Sequence, residues 1–412
     1  MKPGTPADTK MLSFEQALAE VETRLTSAGV PPATESVSLG EAGGRVLAED
    51  IKADRDYPPF NRSTRDGFAV RSQDVTHADT LLTLDGEVRA GEYFQTEIGP
   101  GHCAAIMTGA PLPSGTDAVV MVEHTSPQSD KIRIERPIAS FENVVHKGSE
   151  AREGQRVLPK GRRLRAGEAA LLASVGKEKV AVYVRPRVAI LPTGDEVVPI
   201  GSKPEWYQVR NSNSAMLAAV VDSAGAAPWE IGIGPDRKEA LRDLIVKAME
   251  ADMLLLSGGV SMGKYDFVED VLEELGAEFY FRGVAIRPGK PLVFGRVQGK
   301  FFFGLPGNPV SSFVTCTLFA RAAISVLMGC GFDRPLFLRA RLEKSVHHKA
   351  GLTTFMPARI DTRNTEPVVS LVGWQGSGDL VGVAEANGFL VVHAEQPSPA
   401  AGDWVDVMPM AS

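Results

Sequence analysis

The sequence contains the stretch Val188-Ala189-Ile190-Leu191-Pro192-Thr193-Gly194-Asp195-Glu196 near its middle, and this stretch indicates the fold more directly than any other. An unbroken apolar run such as residues 188–191 is typical of a strand that is buried on both faces. Two further apolar runs follow at residues 253–256 and 301–303, and amphipathic helical patterns separate the runs. Strands that alternate with helices predict a mostly parallel sheet with helices on both faces. We therefore expect a three-layer α/β domain over residues 186–332.

The chain on either side of this domain has a different pattern. Residues 56–146 contain short strand-like runs separated by turns, which predicts a small, mainly β insertion. Residues 157–184 return to a compact segment with one helix. Residues 333–410 contain short strand patterns and predict a C-terminal β-domain. The expected fold class is therefore multidomain, with α/β and β parts.

The overall composition excludes several classes of protein. A chain of 412 residues is expected to form more than one domain. Its net charge of -7 argues against a nucleic-acid-binding surface. We find no secretion signal and no apolar run approaching the roughly 20 residues that span a bilayer. The widely spaced Cys103, Cys316 and Cys330 suggest buried thiols in a reducing compartment. We therefore expect a cytoplasmic protein that binds neither nucleic acid nor membrane.

Each strand of the expected sheet runs into a glycine-containing loop. The loops are Pro192-Thr193-Gly194-Asp195-Glu196, Ser257-Gly258-Gly259-Val260-Ser261-Met262-Gly263 and Gly304-Leu305-Pro306-Gly307-Asn308-Pro309. Ligands of open parallel sheets bind beyond the carboxyl ends of the strands. Glycines permit close approach of the backbone, and N–H groups at a helix start bind phosphate. One such loop could be a plain turn, but three on one edge favour a nucleotide or phosphate site.

Charged residues on the same edge support this interpretation. The carboxylates of Asp195, Glu196, Asp236 and Asp266 are oxygen ligands of the kind that Mg²⁺ prefers. Helix N-capping is the alternative role for Asp266, and it is the favoured one for Asp236. The segment Ile286-Arg287-Pro288-Gly289-Lys290-Pro291 presents two cations on a stiff turn, which suits an anion.

Two further segments have no function that physical reasoning alone assigns. They are residues 58–70, which contain Asp66-Gly67-Phe68-Ala69-Val70, and residues 106–113, which contain Met107-Thr108-Gly109-Ala110-Pro111. Together with the three sheet loops and Arg287-Pro288-Gly289-Lys290-Pro291, however, they resemble the molybdopterin molybdenumtransferase family, which includes MoeA and the C-terminal domain of gephyrin. The resemblance covers residues 10–408. As a set the motifs are highly specific, although the sheet motifs alone also occur in the related pterin adenylyltransferases.

The resemblance implies a four-part architecture. A discontinuous linker domain, residues 10–55 and 147–185, brackets the inserted β-domain and is followed by the α/β pterin- and nucleotide-binding domain and the C-terminal β-domain. It also implies a homodimer in which each active cleft faces the inserted domain of the partner subunit. Asp66 and Thr108 would then contribute to a cleft that is far from them in sequence.

The resemblance further implies an activity: insertion of molybdate into adenylylated molybdopterin with release of AMP, assisted by Mg²⁺ or alternatively Zn²⁺. The upstream pterin adenylyltransferase and the recipient apo-molybdoenzymes are the implied protein partners. Glu196, Asp236 and Asp266 are expected to hold or orient the metal, and Arg287 and Lys290 to attract molybdate. The remaining implied site residues are Asp66, Thr108, Ser257, Gly258, Gly259, Ser261, Pro306, Gly307, Asn308 and Pro309; Glu150 and Arg359 match two further family positions.

The chain departs from the family pattern at two positions. Asn61 stands where the family usually has Asp, and Arg65 stands where it usually has Met. Arg65 places a cation beside Asp66 and is expected to lower the pKa of Asp66 or to pair with it. Tungstate therefore remains an alternative to molybdate as the oxyanion.

Two other functions compete with this interpretation. A molybdopterin adenylyltransferase would need only the α/β domain, and the motifs around Asp66 and Thr108 argue against it. A non-catalytic scaffold is the second alternative, because gephyrin also clusters receptors. The retained site motifs argue against a scaffold.

Overall fold

The computed structural model describes residues 11–29, 32–89, 91–259, 267–362 and 365–410. Two compact units divide the chain. Unit 1 comprises Met1–Ser36, Gly44–Ala48 and Ala181–Ser412, and unit 2 comprises Val37–Gly43 and Glu49–Val180. The proposed four-part division is finer than these units and stays a prediction.

The helices of the described residues are α1 (Phe14–Ser27), α2 (Ala166–Ser174), α3 (Ser212–Ala224), α4 (Lys238–Ala248), α5 (Phe267–Glu274), α6 (Pro309–Thr315), α7 (Arg321–Leu327) and α8 (Leu380–Glu385). The strands are β1 (Thr34–Ser38), β2 (Ile51–Lys52), β3 (Arg62–Ser63), β4 (Gly67–Val70), β5 (Thr80–Val88), β6 (His102–Ile106), β7 (Ala118–Met121), β8 (Thr125–Gln128), β9 (Lys131–Ile134), β10 (Val144–Val145), β11 (Arg156–Leu158), β12 (Lys179–Tyr183), β13 (Arg187–Pro192), β14 (Val197–Val198), β15 (Val209–Arg210), β16 (Ala227–Glu230), β17 (Met253–Ser257), β18 (Glu278–Arg282), β19 (Ile286–Arg287), β20 (Val293–Val297), β21 (Lys300–Leu305), β22 (Leu338–Leu342), β23 (Thr353–Asp361), β24 (Val368–Leu371), β25 (Gly388–Val392) and β26 (Trp404–Pro409).

The central sheet of unit 1 has the strand order β16-β13-β17-β21-β20-β18. The first four strands are parallel, and β20 and β18 extend the sheet antiparallel at one edge. β13 and β17 are buried along almost their whole length, as expected for strands covered on both faces. This mixed, three-layer arrangement confirms the α/β prediction.

Two hydrophobic clusters cover the two faces of this sheet. One contains Phe14 of α1, Leu217 of α3 and Phe319 from the segment between α6 and α7. The other contains Leu241 of α4 and Val271 of α5. The first helix therefore packs into the core of unit 1. The helix begins with a capping box formed by Ser13 and Gln16.

The C-terminal strands form a second sheet in the order β19-β23-β24-β22-β26-β25. This sheet closes on itself because β25 pairs with both β26 and β23. A closed sheet has no exposed edge between these strands. The C-terminal β-domain is therefore confirmed, and β19 of the Arg287–Lys290 turn joins it through β23.

Unit 2 contains a six-stranded sheet in the order β7-β4-β6-β5-β9-β8, as the inserted β-domain predicts. The backbone at Gly67 leaves no space for a side chain, because an added Cβ would lie 1.9 Å from the backbone oxygen of Val120. Gly67 pairs with both Ile106 and Met121. The glycine of the Asp66-Gly67 motif is thus required by strand pairing rather than by a tight turn.

The prediction that no apolar run is long enough to span a bilayer is wrong for one helix. Pro309–Leu327, which joins α6 to α7 through a π-helical turn, is long and apolar enough by length and composition. However, 72 % of the 18-residue apolar segment within this helix is buried inside the protein. Val310, Val314 and Ile324 belong to the sheet-covering core. The helix is apolar because it is surrounded by protein in unit 1.

Replacing Phe303 by alanine is expected to destabilise unit 1 by about 3–5 kcal/mol, because the ring is fully buried. Phe303 stacks on Phe294 of the neighbouring strand at a centroid distance of 4.7 Å. The exposed Trp206, at 94 % exposure, is a matched aromatic control, and its replacement by alanine should change stability by less than about 0.5 kcal/mol. Urea denaturation measures both. Equal losses for the two variants would contradict the described core.

Candidate functional site

The carboxyl ends of three central strands lie side by side. Pro192 of β13 pairs with Ser257 of β17, and Ser257 pairs with Leu305 of β21. The three predicted loops therefore leave the sheet at the same level. The sequence predicted that they share one edge, and the register confirms it.

The loops line a cavity of about 860 Å³ in unit 1. Its walls combine polar loop residues with the start of α3 and one segment of the C-terminal β-domain. The lining residues are Pro192, Thr193, Gly194, Glu196, Val197, Val209, Arg210, Asn211, Ser212, Asn213, Asp236, Ser257, Gly258, Gly259, Pro291, Pro306, Gly307, Asn308, Pro309, Gly378 and Leu380. Cavities of this size accommodate drug-sized or cofactor-sized molecules.

Glycine is required where the loops meet. Gly258 has a φ of +92°, and an added Cβ would lie 2.8 Å from the backbone oxygen of Thr193. A Cβ on Gly307 would lie 3.5 Å from the Cα of Gly258. The two loops thus approach each other closely enough for their backbones to form one wall.

The backbone donors of the third loop are only partly available for an anion. Pro309 has no N–H, and the N–H of Val310 donates to the backbone oxygen of Ser377 at 3.0 Å. The N–H groups of Gly307 and Asn308 have no acceptor among the residues that the structure describes. Any phosphate held here would therefore contact the loop before the helix rather than its first turn.

Asn213 and Gly378 line the cavity although the sequence indicated no functional role for them. Asn213 lies at the start of α3, where the sequence showed only a helix beginning. The amide nitrogen of Asn213 donates to Ser257 Oγ and to the backbone oxygen of Gly307, both at 2.8 Å. Only the tertiary arrangement reveals that this side chain connects two loops.

The predicted N-cap role of Asp236 is wrong. The residue before α4 is Arg237, which makes no side-chain capping bond. Asp236 instead accepts from the N–H of Asp195 at 3.3 Å, and Asp195 accepts from the N–H of Asp236 at 3.1 Å. This reciprocal pair binds the loop after β13 to the loop before α4, so the carboxylate of Asp236 faces the cavity rather than the helix.

The predicted metal ligands are described only in part. Glu196 and Asp236 both line the cavity, and the Glu196 carboxylate folds over Gly194, where an added Cβ would lie 2.6 Å from Oε2. Asp266 and Ser261 lie outside the described residues. Within the described ranges, no group of three His, Cys, Asp or Glu side chains could hold a metal ion. Two cavity carboxylates fit Mg²⁺, which usually takes several ligands from water and substrate phosphates.

Arg287 and Lys290 are exposed, and Pro291 of the same turn lines the cavity. Neither cation pairs with a carboxylate in the described part of the chain. The turn packs closely against the protein, since an added Cβ on Gly289 would lie 2.6 Å from Thr315 Cγ2. The two charges therefore remain available to an anion, although the two side chains are not part of the cavity wall.

Asp66 and Thr108 come together in unit 2. The N–H and hydroxyl groups of Thr108 donate to Asp66 Oδ1 at 2.7 and 2.9 Å. Both bonds lower the pKa of Asp66 below its ordinary value, and the bond from the backbone N–H has the larger effect. The prediction that Arg65 lowers this pKa or pairs with Asp66 is wrong. The two hydrogen bonds that lower the pKa both come from Thr108, one from its N–H and one from its hydroxyl. Arg65 is exposed.

Replacing Thr108 by valine is expected to raise the pKa of Asp66 towards its ordinary value of 3.8, because the hydroxyl bond to the carboxylate is lost. Carbon-13 NMR titration of the carboxyl groups measures this shift. Thr116→Val is the control, since Thr116 donates to Pro113 and not to Asp66. An unchanged pKa in Thr108→Val would contradict the assignment.

The other residues singled out in the sequence occupy separate positions. Asn61 accepts from the N–H of Lys147 at 2.9 Å, so its side chain is used in loop structure. Glu150 forms an exposed ion pair with Arg62 at 2.8 Å. Arg359 is exposed on β23. None of these three lines the cavity described above.

Three families match consecutive parts of the chain. They are described as the MoeA N-terminal region (domain I and II) at residues 12–176, a "Probable molybdopterin binding domain" at residues 189–325, and the MoeA C-terminal region (domain IV) at residues 339–410. Together they span most of the sequence in the order that the motifs predicted.

Whole-length relatives support the same family. The molybdopterin molybdenumtransferase of Staphylococcus epidermidis is 33 % identical over 378 residues, covering 90 % of this chain and 90 % of that protein. The protein of the same name from a Nostoc species is 36 % identical over 386 residues, covering 91 % of this chain and 88 % of that protein.

A solved structure supports the fold over nearly the whole chain. The MoeA protein of Pyrococcus horikoshii, a molybdopterin biosynthesis protein, has a TM-score of 0.75 at 33 % identity, covering 97 % of this chain and 99 % of that chain. A MoeA protein from Pyrococcus horikoshii OT3, also described as a molybdopterin biosynthesis protein, has a TM-score of 0.81 at 29 % identity, covering 97 % of this chain and 100 % of that chain. Family matches, whole-length relatives and structures agree, and the chain therefore belongs to the molybdopterin molybdenumtransferase (MoeA) family.

Proposed function

We propose that the protein inserts molybdate into adenylylated molybdopterin and releases AMP. Family membership gives it a role as a transferase in molybdenum cofactor biosynthesis. The observation that carries the finer proposal is the cavity of about 860 Å³ at the carboxyl edge of the sheet, where three loops meet in register. Such an edge is where open α/β sheets bind nucleotides.

The loops suit a substrate that carries a pyrophosphate. The N–H groups of Gly307 and Asn308 have no acceptor in the described ranges and can donate to phosphate oxygens. Gly258 and Gly259 keep the adjoining part of this wall free of side chains, so a flat pterin can approach the backbone. Ser257, Pro306 and Pro309 hold these segments in position.

A divalent ion would complete the charge balance of this site. Glu196 and Asp236 would hold Mg²⁺, or alternatively Zn²⁺, together with Asp266. The ion would neutralise the phosphoanhydride as it breaks. The protein's own contribution is to place two carboxylates on the cavity wall, one of which, Asp236, is fixed by the N–H of Asp195.

The cations of the Arg287–Lys290 turn would attract the oxyanion. Arg287 and Lys290 are exposed and lack a carboxylate partner among the described residues, so no competing ion pair must break before molybdate binds. Their charges would also stabilise the negative charge that develops when AMP leaves. This is the role we propose for both side chains.

We also propose a cytoplasmic homodimer in which the cleft of each subunit faces the inserted β-domain of its partner. Asp66 and Thr108 belong to unit 2, whereas the cavity belongs to unit 1. The ionised Asp66, held by two bonds from Thr108, would enter the partner's cleft. The upstream pterin adenylyltransferase and recipient apo-molybdoenzymes are the proposed protein partners.

Activation of an apo-molybdoenzyme tests the function. The protein is incubated with adenylylated molybdopterin and Mg²⁺, with molybdate, with tungstate or with neither, and the products are added to the apo-enzyme. We expect activation only with molybdate. Activation by a mixture of ATP and free molybdopterin, at the same rate, would instead support an adenylyltransferase. Insertion of tungstate alone would change the oxyanion and not the reaction.

A further inference from the structure

The wall of the cavity carries few charged side chains. Of the described residues that line it, Arg210 alone has a positive charge, and Glu196 and Asp236 have negative charges. The two carboxylates repel a phosphate, because like charges interact strongly where water is partly excluded. Arg210 is therefore the one described wall residue whose charge favours a phosphate, and the sequence gave no indication of it.

The backbone that carries Arg210 is attached to the strand that follows Glu196. Arg210 is the second residue of β15, which pairs in parallel with β14, and it lies opposite Val198. The N–H of Val209 donates to the backbone oxygen of Glu196, and the N–H of Asn211 donates to that of Val198, both at 2.9 Å. The position of Arg210 is thus tied to that of a proposed metal ligand.

Most of the guanidinium group of Arg210 is unused. Its Nε donates to the backbone oxygen of Ser202 at 3.1 Å, which orients the plane of the group. Arg210 forms no ion pair with a described carboxylate, and its Nη1 and Nη2 groups have no acceptor in the described part of the chain. The exposed side chain therefore keeps a pair of donor groups for a ligand.

A neighbouring hydroxyl group has the same property. Ser212 lies two residues after Arg210 and lines the same cavity, and its hydroxyl has no partner among the residues that the structure describes. A guanidinium group binds two oxygens of one phosphate with parallel hydrogen bonds, and a hydroxyl can donate to a phosphate oxygen. The two side chains suit a phosphate better than a neutral ring.

We infer that Arg210 binds a phosphate group of the substrate through Nη1 and Nη2, and that the hydroxyl of Ser212 donates to the same group. This inference rests on the proposed function, in which the substrate contains a pyrophosphate. Molybdate is assigned there to Arg287 and Lys290, which leaves the phosphates to Arg210. Cleavage puts one phosphate on AMP and one on molybdopterin, and the two products therefore distinguish which phosphate Arg210 holds.

The test compares three ligands in one variant. The dissociation constants of AMP, adenosine and molybdopterin are measured for the unmodified protein and for Arg210→Gln. We expect the affinity for AMP, for molybdopterin or for both to fall about tenfold, which corresponds to about 1.4 kcal/mol. Adenosine has no phosphate, and its affinity should change less than about twofold. A loss for AMP assigns the phosphate of the nucleotide, and a loss for molybdopterin assigns that of the pterin.

Lys203→Ala is the matched control, because Lys203 is an exposed cation of the same loop that does not line the cavity. It should leave all three constants unchanged, and a loss equal to that in Arg210→Gln would assign the effect to net charge and overturn the inference. Unchanged constants for both phosphate ligands in Arg210→Gln, or a loss for adenosine equal to the largest loss, would also overturn it.

Salt dependence separates a charge contact from a change of loop position. Salt screens the attraction between a cation and a phosphate. The affinity for the affected ligand should therefore depend less on salt in Arg210→Gln than in the unmodified protein. An equal dependence in the two proteins would show that the lost contact is not ionic and would overturn the inference.

A measurement on the unmodified protein does not depend on the folding of a variant. In protein labelled with nitrogen-15 arginine, the Arg210 Nε resonance should shift on addition of AMP or molybdopterin and not of adenosine. A resonance that neither bound phosphate ligand moves would contradict the contact. If the unmodified protein binds neither AMP nor molybdopterin, the proposed function and this inference both fail; binding without the Arg210 effects overturns the inference alone.

Discussion

Replacing Lys290 by alanine should raise the molybdate concentration needed for half-maximal AMP release by about 10- to 100-fold. Hydrogen bonds to charged groups contribute about 1.5–3 kcal/mol, which corresponds to this range. Lys290 is exposed, and the turn that carries it is held by its backbone, since Lys290 O accepts from the N–H of Val284 at 2.9 Å. The substitution should therefore leave the thermal unfolding midpoint nearly unchanged.

Two further variants distinguish the effect of the charge at position 290 from the effect of the protein's net charge. Lys344→Ala removes an exposed lysine of the C-terminal β-domain and should leave the molybdate dependence unchanged. Lys290→Arg retains the cation and should recover part of the affinity. An unchanged rate for Lys290→Ala at limiting molybdate would remove Lys290 from the proposed site.

Replacing Gly258 by alanine should lower kcat/KM by about 100-fold or more. The new Cβ would lie 2.8 Å from the backbone oxygen of Thr193, and the φ of +92° is strained for any residue with a side chain. The loop must move, and displacements of about 1 Å at a site can reduce rates about 100-fold. Steady-state AMP release measures the effect.

Gly276 provides the matched control for this substitution. It has a φ of +81°, but an added Cβ would meet nothing within 4 Å. Gly276→Ala therefore carries a similar backbone strain without the collision, and it should reduce stability while leaving kcat/KM nearly unchanged. Equal activity losses in the two variants would show that backbone strain, and not the closeness of the loops, is responsible.

The α/β part of the fold was predictable because its signals are local. The apolar runs before Pro192, Ser257 and Gly304 are long enough to indicate buried strands, and the glycine loops after them mark the carboxyl edge. Ser311, Ser312 and Thr315 of the helix Pro309–Leu327 are buried by tertiary packing, which their polar residue types do not indicate.

A site residue could be predicted only where its residue type suits the expected chemistry and the residue also lies in one of the loops at the sheet edge. Glu196 and four glycines of the loops, Gly194, Gly258, Gly259 and Gly307, line the cavity. The N-cap role of Asp236 failed because Asp195, distant in sequence, provides its partner. Asn213 was missed for the same reason: its acceptors at Ser257 and Gly307 are 44 and 94 residues away.

The most direct test of the central claim is a time course of AMP release from adenylylated molybdopterin with Mg²⁺, with and without molybdate. The account predicts that release depends on molybdate and that each AMP is accompanied by one molecule of molybdenum-containing cofactor. Release of AMP at the same rate without molybdate, with no cofactor formed, would show simple hydrolysis of the phosphoanhydride and would contradict molybdate insertion.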